Sequence, residues 1–119
     1  MDARLARGVD AFNAGRFFAA HEIWEALWLE SVGPEKPLLQ GLVQVAAGYA
    51  KVETGVRSGA LKLLTRGLAL VRQFLPAACG LSLEAFADGV AADTQRVLDT
   101  AEGNLSIDLM RVPCLRLSR

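Results

Sequence analysis

The sequence predicts an all-α fold, a bundle of about five helices arranged as antiparallel hairpins with an extended arm at the C-terminus. Apolar residues recur at spacings of three and four, and the chain has no run of alternating β-branched residues. Of the 119 residues, 52% are hydrophobic, which is enough for a compact domain with its own apolar core. We therefore expect a single helical domain, with a bundle at residues 1–105 and an arm at 106–119.

The first two helices are bounded by helix-ending residues. The first is predicted at residues 3–14, before Gly15, and the second at 16–31, before the Gly33-Pro34 pair. Glycine adopts the left-handed conformation that follows many helices, and proline cannot continue a helix. The two helices should therefore form an antiparallel hairpin.

The third and fourth helices repeat this arrangement. The third is predicted at residues 35–54, with Pro34 or Pro37 in its first turn and Gly55 after its end. The fourth is predicted at residues 57–75, where Pro76 stops it. A second hairpin follows from these boundaries.

The fifth helix and the tail complete the chain. Ser82 is the predicted N-cap of a helix that reaches about Ala101, and Glu84 places a negative charge in its first turn. Beyond Ser106, apolar residues are mixed with arginines around Pro113 without a helical period. We expect an extended arm across a groove of the bundle or of a neighbouring subunit, the alternative being a frayed end.

An internal repeat of forty residues relates the two hairpins. The segment from Phe12 to Trp24 aligns with the segment from Val52 to Leu64. The matched pairs are Gly15/Gly55, Ala20/Ala60 and Trp24/Leu64. In each unit the glycine ends one helix, and the alanine lets the next helix approach it closely. The large apolar residue fills the space between the two helices. This pattern is typical of tetratricopeptide-like helix pairs, although two chance-similar hairpins would also produce it.

Charge and cysteine content exclude several classes of function. The net charge is zero and the pI is about 6.6, which argues against nucleic-acid binding and against a polybasic membrane anchor. Cys79 and Cys114 have neither zinc-ligand nor disulfide-scaffold spacing, so we expect a reducing cytoplasm. The first residues show no secretory signal, and no apolar stretch is long enough to span a bilayer.

The second helix carries the most unusual segment, which holds the single histidine and both tryptophans of the chain. Trp24 and Trp28 lie on its apolar arc and should pack the hairpin. His21 and Glu25 fall within about 40 degrees of each other at the border of that arc. Glu22 should point more toward solvent. The pair is a candidate ligand or acid–base pair, or else a border pair that satisfies neighbouring polar groups.

A zinc site at this pair is disfavoured, whereas an oxygen-rich manganese or iron site is conceivable. The segment superficially resembles the HExxH zinc motif, but Glu25 stands where that motif has its second histidine, and no other histidine exists. The pattern of di-iron bundles needs a second Glu-x-x-His, which the sequence lacks. We therefore predict no metal and no cofactor.

The third helix adds a polar stripe of Gln40, Gln44 and Lys51 to an otherwise apolar helix. Gln44 and Lys51 both lie within about 40 degrees of Gln40 around the helix axis, so the three share one side. This stripe either faces solvent or completes a buried network with His21, because a partly buried imidazole needs hydrogen-bond partners. Gly41 and Gly48 are the predicted site of a close helix crossing.

The sequence resembles the family known as domain of unknown function 309. The resemblance covers most of residues 8–86 and rests on three motifs. They are Phe12-Asn13-x-Gly15-x-Phe17-Phe18-x-Ala20-His21-Glu22-x-x-Glu25-x-x-Trp28, Gln40-Gly41-Leu42-x-Gln44-x-Ala46-Ala47 and Gly55-x-x-x-Gly59-Ala60. It implies a small all-helical domain with a polar cluster and no established reaction. Many members have a histidine where this chain has Lys51, a departure that weakens a metal site because lysine is cationic.

Two classes of function remain open from the sequence. In the first, the cluster of His21, Glu22, Glu25, Gln40, Gln44 and Lys51 is structural or recognises a small molecule or a protein. In the alternative, His21 and Glu25 serve a metal-assisted or acid–base hydrolase, with Lys51 as electrostatic stabiliser. The apolar arm also leaves a homo-oligomer open.

Overall fold

The computed structural model describes residues 1–118 and contains five α-helices and a small three-stranded sheet. The helices are α1 (Ala3–Asn13), α2 (Phe17–Glu30), α3 (Lys36–Glu53), α4 (Arg57–Arg72) and α5 (Glu84–Asp99). The strands are β1 (Ala77–Ala78), β2 (Leu81–Ser82) and β3 (Arg116–Leu117), paired antiparallel in the order β1-β2-β3. The predicted all-α class is confirmed, and the short sheet is an addition that apolar periodicity did not predict.

Each helix packs against the next in the chain, and Phe12 lies at the centre of the core. Its ring centroid lies 5.3 Å from that of Phe17, 5.7 Å from those of Tyr49 and Phe86, and 5.9 Å from that of Trp24. The five rings come from α1, α2, α3 and α5. Edge-to-face and offset contacts of this kind stabilise a core beyond the area that they bury.

The two hairpins close with the same turn, forty residues apart. Gly15 and Gly55 have φ angles of 79° and 74°. In both turns the residue after the glycine donates its amide to the carbonyl five residues earlier, at 2.9 Å. This bond satisfies a carbonyl that the helix end leaves free, and the positive φ requires glycine. The internal repeat of the sequence is therefore a repeat of local structure.

The helices α3 and α4 approach closely through glycines. A Cβ on Gly41 would lie 2.9 Å from the Cβ of Leu70, and a Cβ on Gly48 would lie 2.8 Å from the Cγ of Leu64. A Cβ on Gly67 would likewise lie 2.8 Å from the carbonyl oxygen of Gly41. Gly41 and Gly48 thus lie at a close crossing, and the partner helix there is α4.

Helix ends near the sheet differ from the prediction. The fourth helix ends at Arg72 rather than near residue 75, because Pro76 disfavours the helical conformation of the residue before it and the last turn tightens. Ser82 is not the N-cap of α5. It lies in β2, paired with Ala77 and Arg116, and the helix follows Leu83 without a side-chain cap.

The C-terminal arm packs along the bundle of its own chain. Leu105, Met110 and Leu115 are buried, a 3-10 turn at Ile107–Leu109 contacts α3, and β3 pairs with β2. The extended conformation predicted for the arm therefore includes one short turn and one short strand. Arg119, the last residue of the predicted arm, lies outside the described residues.

Candidate functional site

The candidate site lies where α2 packs against α3. The buried side of α2 presents Ala20, Trp24 and Leu27 to the core, which places His21 and Glu25 at the border of that side. Because the two helices form an antiparallel pair, the start of α2 lies beside the end of α3. This arrangement brings residues near position 20 next to residues near position 50.

The imidazole of His21 is held by its neighbours. Its Nε2 atom lies 3.2 Å from Oε2 of Glu25, one helical turn along. The ring of Phe18 stacks against it with centroids 5.8 Å apart. The His21 side chain is 23% exposed and that of Glu25 is 45% exposed. The ring is therefore oriented by a carboxylate and an aromatic face rather than surrounded by water.

Two buried polar atoms in the cluster have no hydrogen-bond partner among residues 1–118. They are Nδ1 of His21 and Oε1 of Gln44. An unpaired buried polar atom costs about 1–3 kcal/mol. Most buried polar atoms of folded proteins have a hydrogen-bond partner, either from the protein or from ordered water. Both belong to the polar cluster predicted from the sequence.

A groove of about 390 Å³ opens between the two helices beside His21. Its apolar lining is Phe18, Ala47 and Ala50, and its polar lining adds Lys51 and Thr54. Phe18 is 63% exposed, although it is a large aromatic residue. The groove therefore has small apolar side chains on α3 and an exposed aromatic ring on α2.

The remaining members of the predicted cluster have different surroundings. Glu22 is exposed, as expected from its angle to His21. Gln40 and Gln44 are half-buried on α3, on the side that Ala47 and Lys51 share. The structure thus pairs His21 with Glu25 and places Lys51 at the same groove, whereas Glu22 does not line it.

The two tryptophans pack the first hairpin. Trp24 is fully buried, its indole Nε1 donates a hydrogen bond to the carbonyl of Leu5 at 3.2 Å, and its ring fills the space above Gly8. Trp28 is half-buried, with Nζ of Lys36 located 5.7 Å from its ring centroid. Trp24 is therefore a core residue, and Trp28 lies at the edge of the core.

Within residues 1–118 no three His, Cys, Asp or Glu side chains come close enough to hold a metal ion. No helix in the same part of the chain has the length and apolar character needed to cross a membrane.

A second polar network was missed by the sequence analysis. Asp93 is completely buried and accepts hydrogen bonds from the Tyr49 hydroxyl at 2.7 Å, from Nη1 of Arg96 at 2.7 Å and from the Arg111 amide at 2.9 Å. Burial and, after it, the Asp93 carboxylate raise the pKa of Tyr49 well above its usual range. One signal was available, since Asp93 interrupts the apolar side of α5 at helical spacing.

The comparisons with known proteins bear on the N-terminal half of the chain. No curated protein and no solved structure matches the chain. Residues 5–63 match the family model described as domain of unknown function (DUF309). This range contains most of α1, all of α2 and α3, the start of α4 and every residue of the predicted cluster. It begins three residues before the range of the predicted resemblance and ends at residue 63 rather than 86. The predicted resemblance to the domain of unknown function 309 family is thereby confirmed over residues 5–63.

Proposed function

We propose that the groove between α2 and α3 binds a small flat molecule with an apolar body and an acidic group. The observation that carries this proposal is the lining of the groove, where Phe18, Ala47 and Ala50 face a pocket with Lys51 at its rim. Pockets for small molecules are mostly apolar, with few polar groups that orient the ligand. The volume of about 390 Å³ lies within the usual range of such pockets.

The acidic group of the ligand follows from the charges at the groove. Among the lining residues Lys51 carries a full positive charge. The aliphatic stem of Lys51 lies alongside Gly59, where a Cβ would be 3.5 Å from Cγ and Cδ of the lysine. This contact supports a defined position for the lysine stem. The ammonium group at the end of the stem would then bind the carboxylate of the ligand.

The acid–base alternative has one observation in its favour, the pairing of His21 with Glu25. A general base needs a free ring nitrogen within reach of the substrate. Nε2 of His21 already faces Glu25, and Nδ1 is buried away from solvent. Binding is therefore better supported than proton transfer, and we propose a binding domain rather than a hydrolase.

The reducing cytoplasm remains the proposed compartment of this protein. Cys79 and Cys114 are both free thiols, which supports a compartment where disulfides do not form.

Titration with benzoate and with its neutral analogue benzamide tests the proposed site. We expect both probes to shift the amide resonances of residues 18, 21, 47, 50 and 51 in a ¹H–¹⁵N spectrum, and benzoate to bind more tightly. Lys51→Ala should remove the preference for benzoate. The control Lys62→Ala changes an exposed lysine of α4 and should leave it intact.

Filling the groove provides the complementary test. Ala47→Leu should abolish the shifts with both probes, whereas Ala69→Leu on the exposed side of α4 should not affect them. Titrations that leave the groove resonances unchanged while the protein is folded would contradict the proposal. The same holds if Ala47→Leu leaves binding intact.

A further inference from the structure

The C-terminal arm is held to the bundle through hydrogen bonds to its backbone and through a few buried apolar side chains. Side chains of the bundle bind amide and carbonyl groups of the arm, while several side chains of the arm point to solvent. Arg111, Cys114 and Arg116 are all exposed. A segment that is held this way resembles a bound extended peptide, because backbone hydrogen bonds supply affinity and a few anchoring side chains supply specificity.

Asn13, the last residue of α1, makes the most specific of these contacts. Its Nδ2 donates to the carbonyl of Leu115 at 2.9 Å, and its Oδ1 accepts from the amide of the same residue at 2.8 Å. One side-chain amide thus replaces the two hydrogen bonds that a neighbouring strand would make. Any residue at position 115 would present the same two backbone groups.

Two further contacts hold the backbone on either side of this position. The carboxylate of Asp93 accepts the amide of Arg111 at 2.9 Å. The carbonyl of Gly80 accepts the amide of Ser118 at 2.7 Å, next to the pairing of β3 with β2. The backbone is therefore fixed at three places by α1, α5 and the β1–β2 turn.

Apolar anchors of the arm recur at intervals of five residues. Leu105, Met110 and Leu115 are 8%, 8% and 1% exposed. Between the last two anchors, Pro113 packs on Gly89 of α5, where a Cβ would lie 2.5 Å from the Cβ of the proline. This face of the bundle therefore favours apolar residues at fixed positions of the segment that binds to it.

Open cavities lie along the arm on both sides. One of about 420 Å³ is lined by Phe17 and Glu53 of the bundle and by Val112 of the arm. Another of about 480 Å³ is lined by Val9 of α1 and Leu117 of the arm. The arm therefore forms one wall of each of these open clefts.

We infer that the face built from α1, α3 and α5 is a peptide-recognition groove and that the arm of the chain itself is its resident ligand. The partner that fits is an extended peptide with two apolar residues five positions apart, matching Met110 and Leu115, and with exposed residues at the first and last of the four positions between them. Such a peptide takes the place of the arm. This surface is separate from the groove beside His21, and the inference does not depend on the proposed small-molecule site.

A cleavable version of the full chain tests this inference. Residues 101–104 are exposed, and a Cβ on Gly103 would have open space, so a protease site can be inserted there. The probe is a fluorescent peptide with the sequence of residues 105–118. In the intact chain the tethered arm has an effective concentration of roughly millimolar and excludes the probe. After cleavage we expect saturable binding of the probe by fluorescence anisotropy, with the bundle still helical by circular dichroism.

Two variants identify the contacts that bind the probe. In the cleaved protein, Asn13→Ala should weaken binding by about tenfold or more because two backbone hydrogen bonds are lost. The control Arg7→Ala changes an exposed residue of α1 and should bind like the unmodified protein. A probe with serine in place of Met110 and Leu115 should not bind.

The uncleaved full-length variant Leu115→Ser provides a second measurement. Its weakened arm should admit the unmodified probe, which the unmodified protein excludes. Loss of helical structure in both the cleaved protein and this variant would overturn the inference, since the arm would then be an inseparable part of the core. A folded bundle that does not bind the probe would overturn it as well.

Discussion

The hydroxyl of Tyr49 donates a 2.7 Å hydrogen bond to Asp93 and links α3 to α5 at a point that water does not reach. The same carboxylate accepts from Arg96 and from the Arg111 amide, so a fully buried acid has three donors. A buried charge is tolerated when it is paired and hydrogen-bonded in this way. This network joins two helices and the arm, and it explains why an aspartate occupies the apolar side of α5.

Tyr49→Phe should lower the free energy of unfolding by about 1–3 kcal/mol at pH 7. The ring and its packing are kept, but the carboxylate of Asp93 loses one donor. Urea denaturation followed by circular dichroism measures the change. The control is Thr65→Ala, on the exposed side of α4. Phe86→Tyr would be unsuitable as a control because it adds a buried hydroxyl. Equal stability of Tyr49→Phe and the parent protein would show that the bond contributes little.

Stability at high pH should depend on the same tyrosine. Because the pKa of Tyr49 is raised in the folded protein, the unfolded chain loses the phenolic proton first, near pH 10. The resulting stabilisation is complete below that pH and decreases by about 1.4 kcal/mol per pH unit above it. Denaturation at pH 9 to 11 should show this loss, and Tyr49→Phe should reduce the slope. Parallel pH profiles would contradict the assignment.

Gly67→Ala and Gly59→Ala, both in α4, should have opposite effects on stability. A Cβ on Gly67 would lie 2.8 Å from the carbonyl oxygen of Gly41 and from the backbone amide of Val45, so α3 would have to move. We expect a loss of about 1–3 kcal/mol. At Gly59 the nearest atom would be 3.4 Å away, and the better helix propensity of alanine should add up to about 1 kcal/mol. Thermal unfolding of the two variants separates these outcomes.

The two cysteines should differ strongly in reactivity. Burial and the nearby Glu35 carboxylate raise the pKa of Cys79 to about 12, whereas Cys114 is exposed. Since the thiolate is the reactive form, alkylation of Cys79 at pH 8 should be at least about a hundredfold slower than that of Cys114. Mass spectrometry after timed treatment with iodoacetamide measures both. Glu35→Gln should accelerate the reaction at Cys79, and comparable rates in the parent protein would disprove the prediction.

His21→Ala separates a structural role of the polar cluster from a binding role. If the ring serves binding, its removal should change the free energy of unfolding by less than about 1 kcal/mol, because an unpaired buried Nδ1 is removed together with the Glu25 contact. A structural role would produce a larger loss. Glu22→Ala, at an exposed position one residue along, is the matched control. Differential scanning calorimetry of the two variants gives the comparison.

The positions of the helices and the pairing of His21 with Glu25 could be predicted from local rules. Helical spacing places residues four apart on one side, and glycine or proline ends each helix within a few residues of the predicted boundary. The network around Asp93 could not be predicted in the same way. Tyr49 and Arg111 lie 44 and 18 residues from Asp93 along the chain, so their contacts with it depend on how α3, α5 and the arm pack.

By itself the sequence determined the helical class, the two glycine turns forty residues apart and the pairing of His21 with Glu25, because each follows from spacing within one helix or from a turn that needs glycine. Only the tertiary structure decided that Lys51 and His21 share a groove, that Gly41 and Gly48 face α4, and that the arm is bound through its backbone. Such relationships arise between segments that are distant in the chain. They are fixed by the shape and hydrogen bonding of whole packed surfaces, which no single stretch of residues contains.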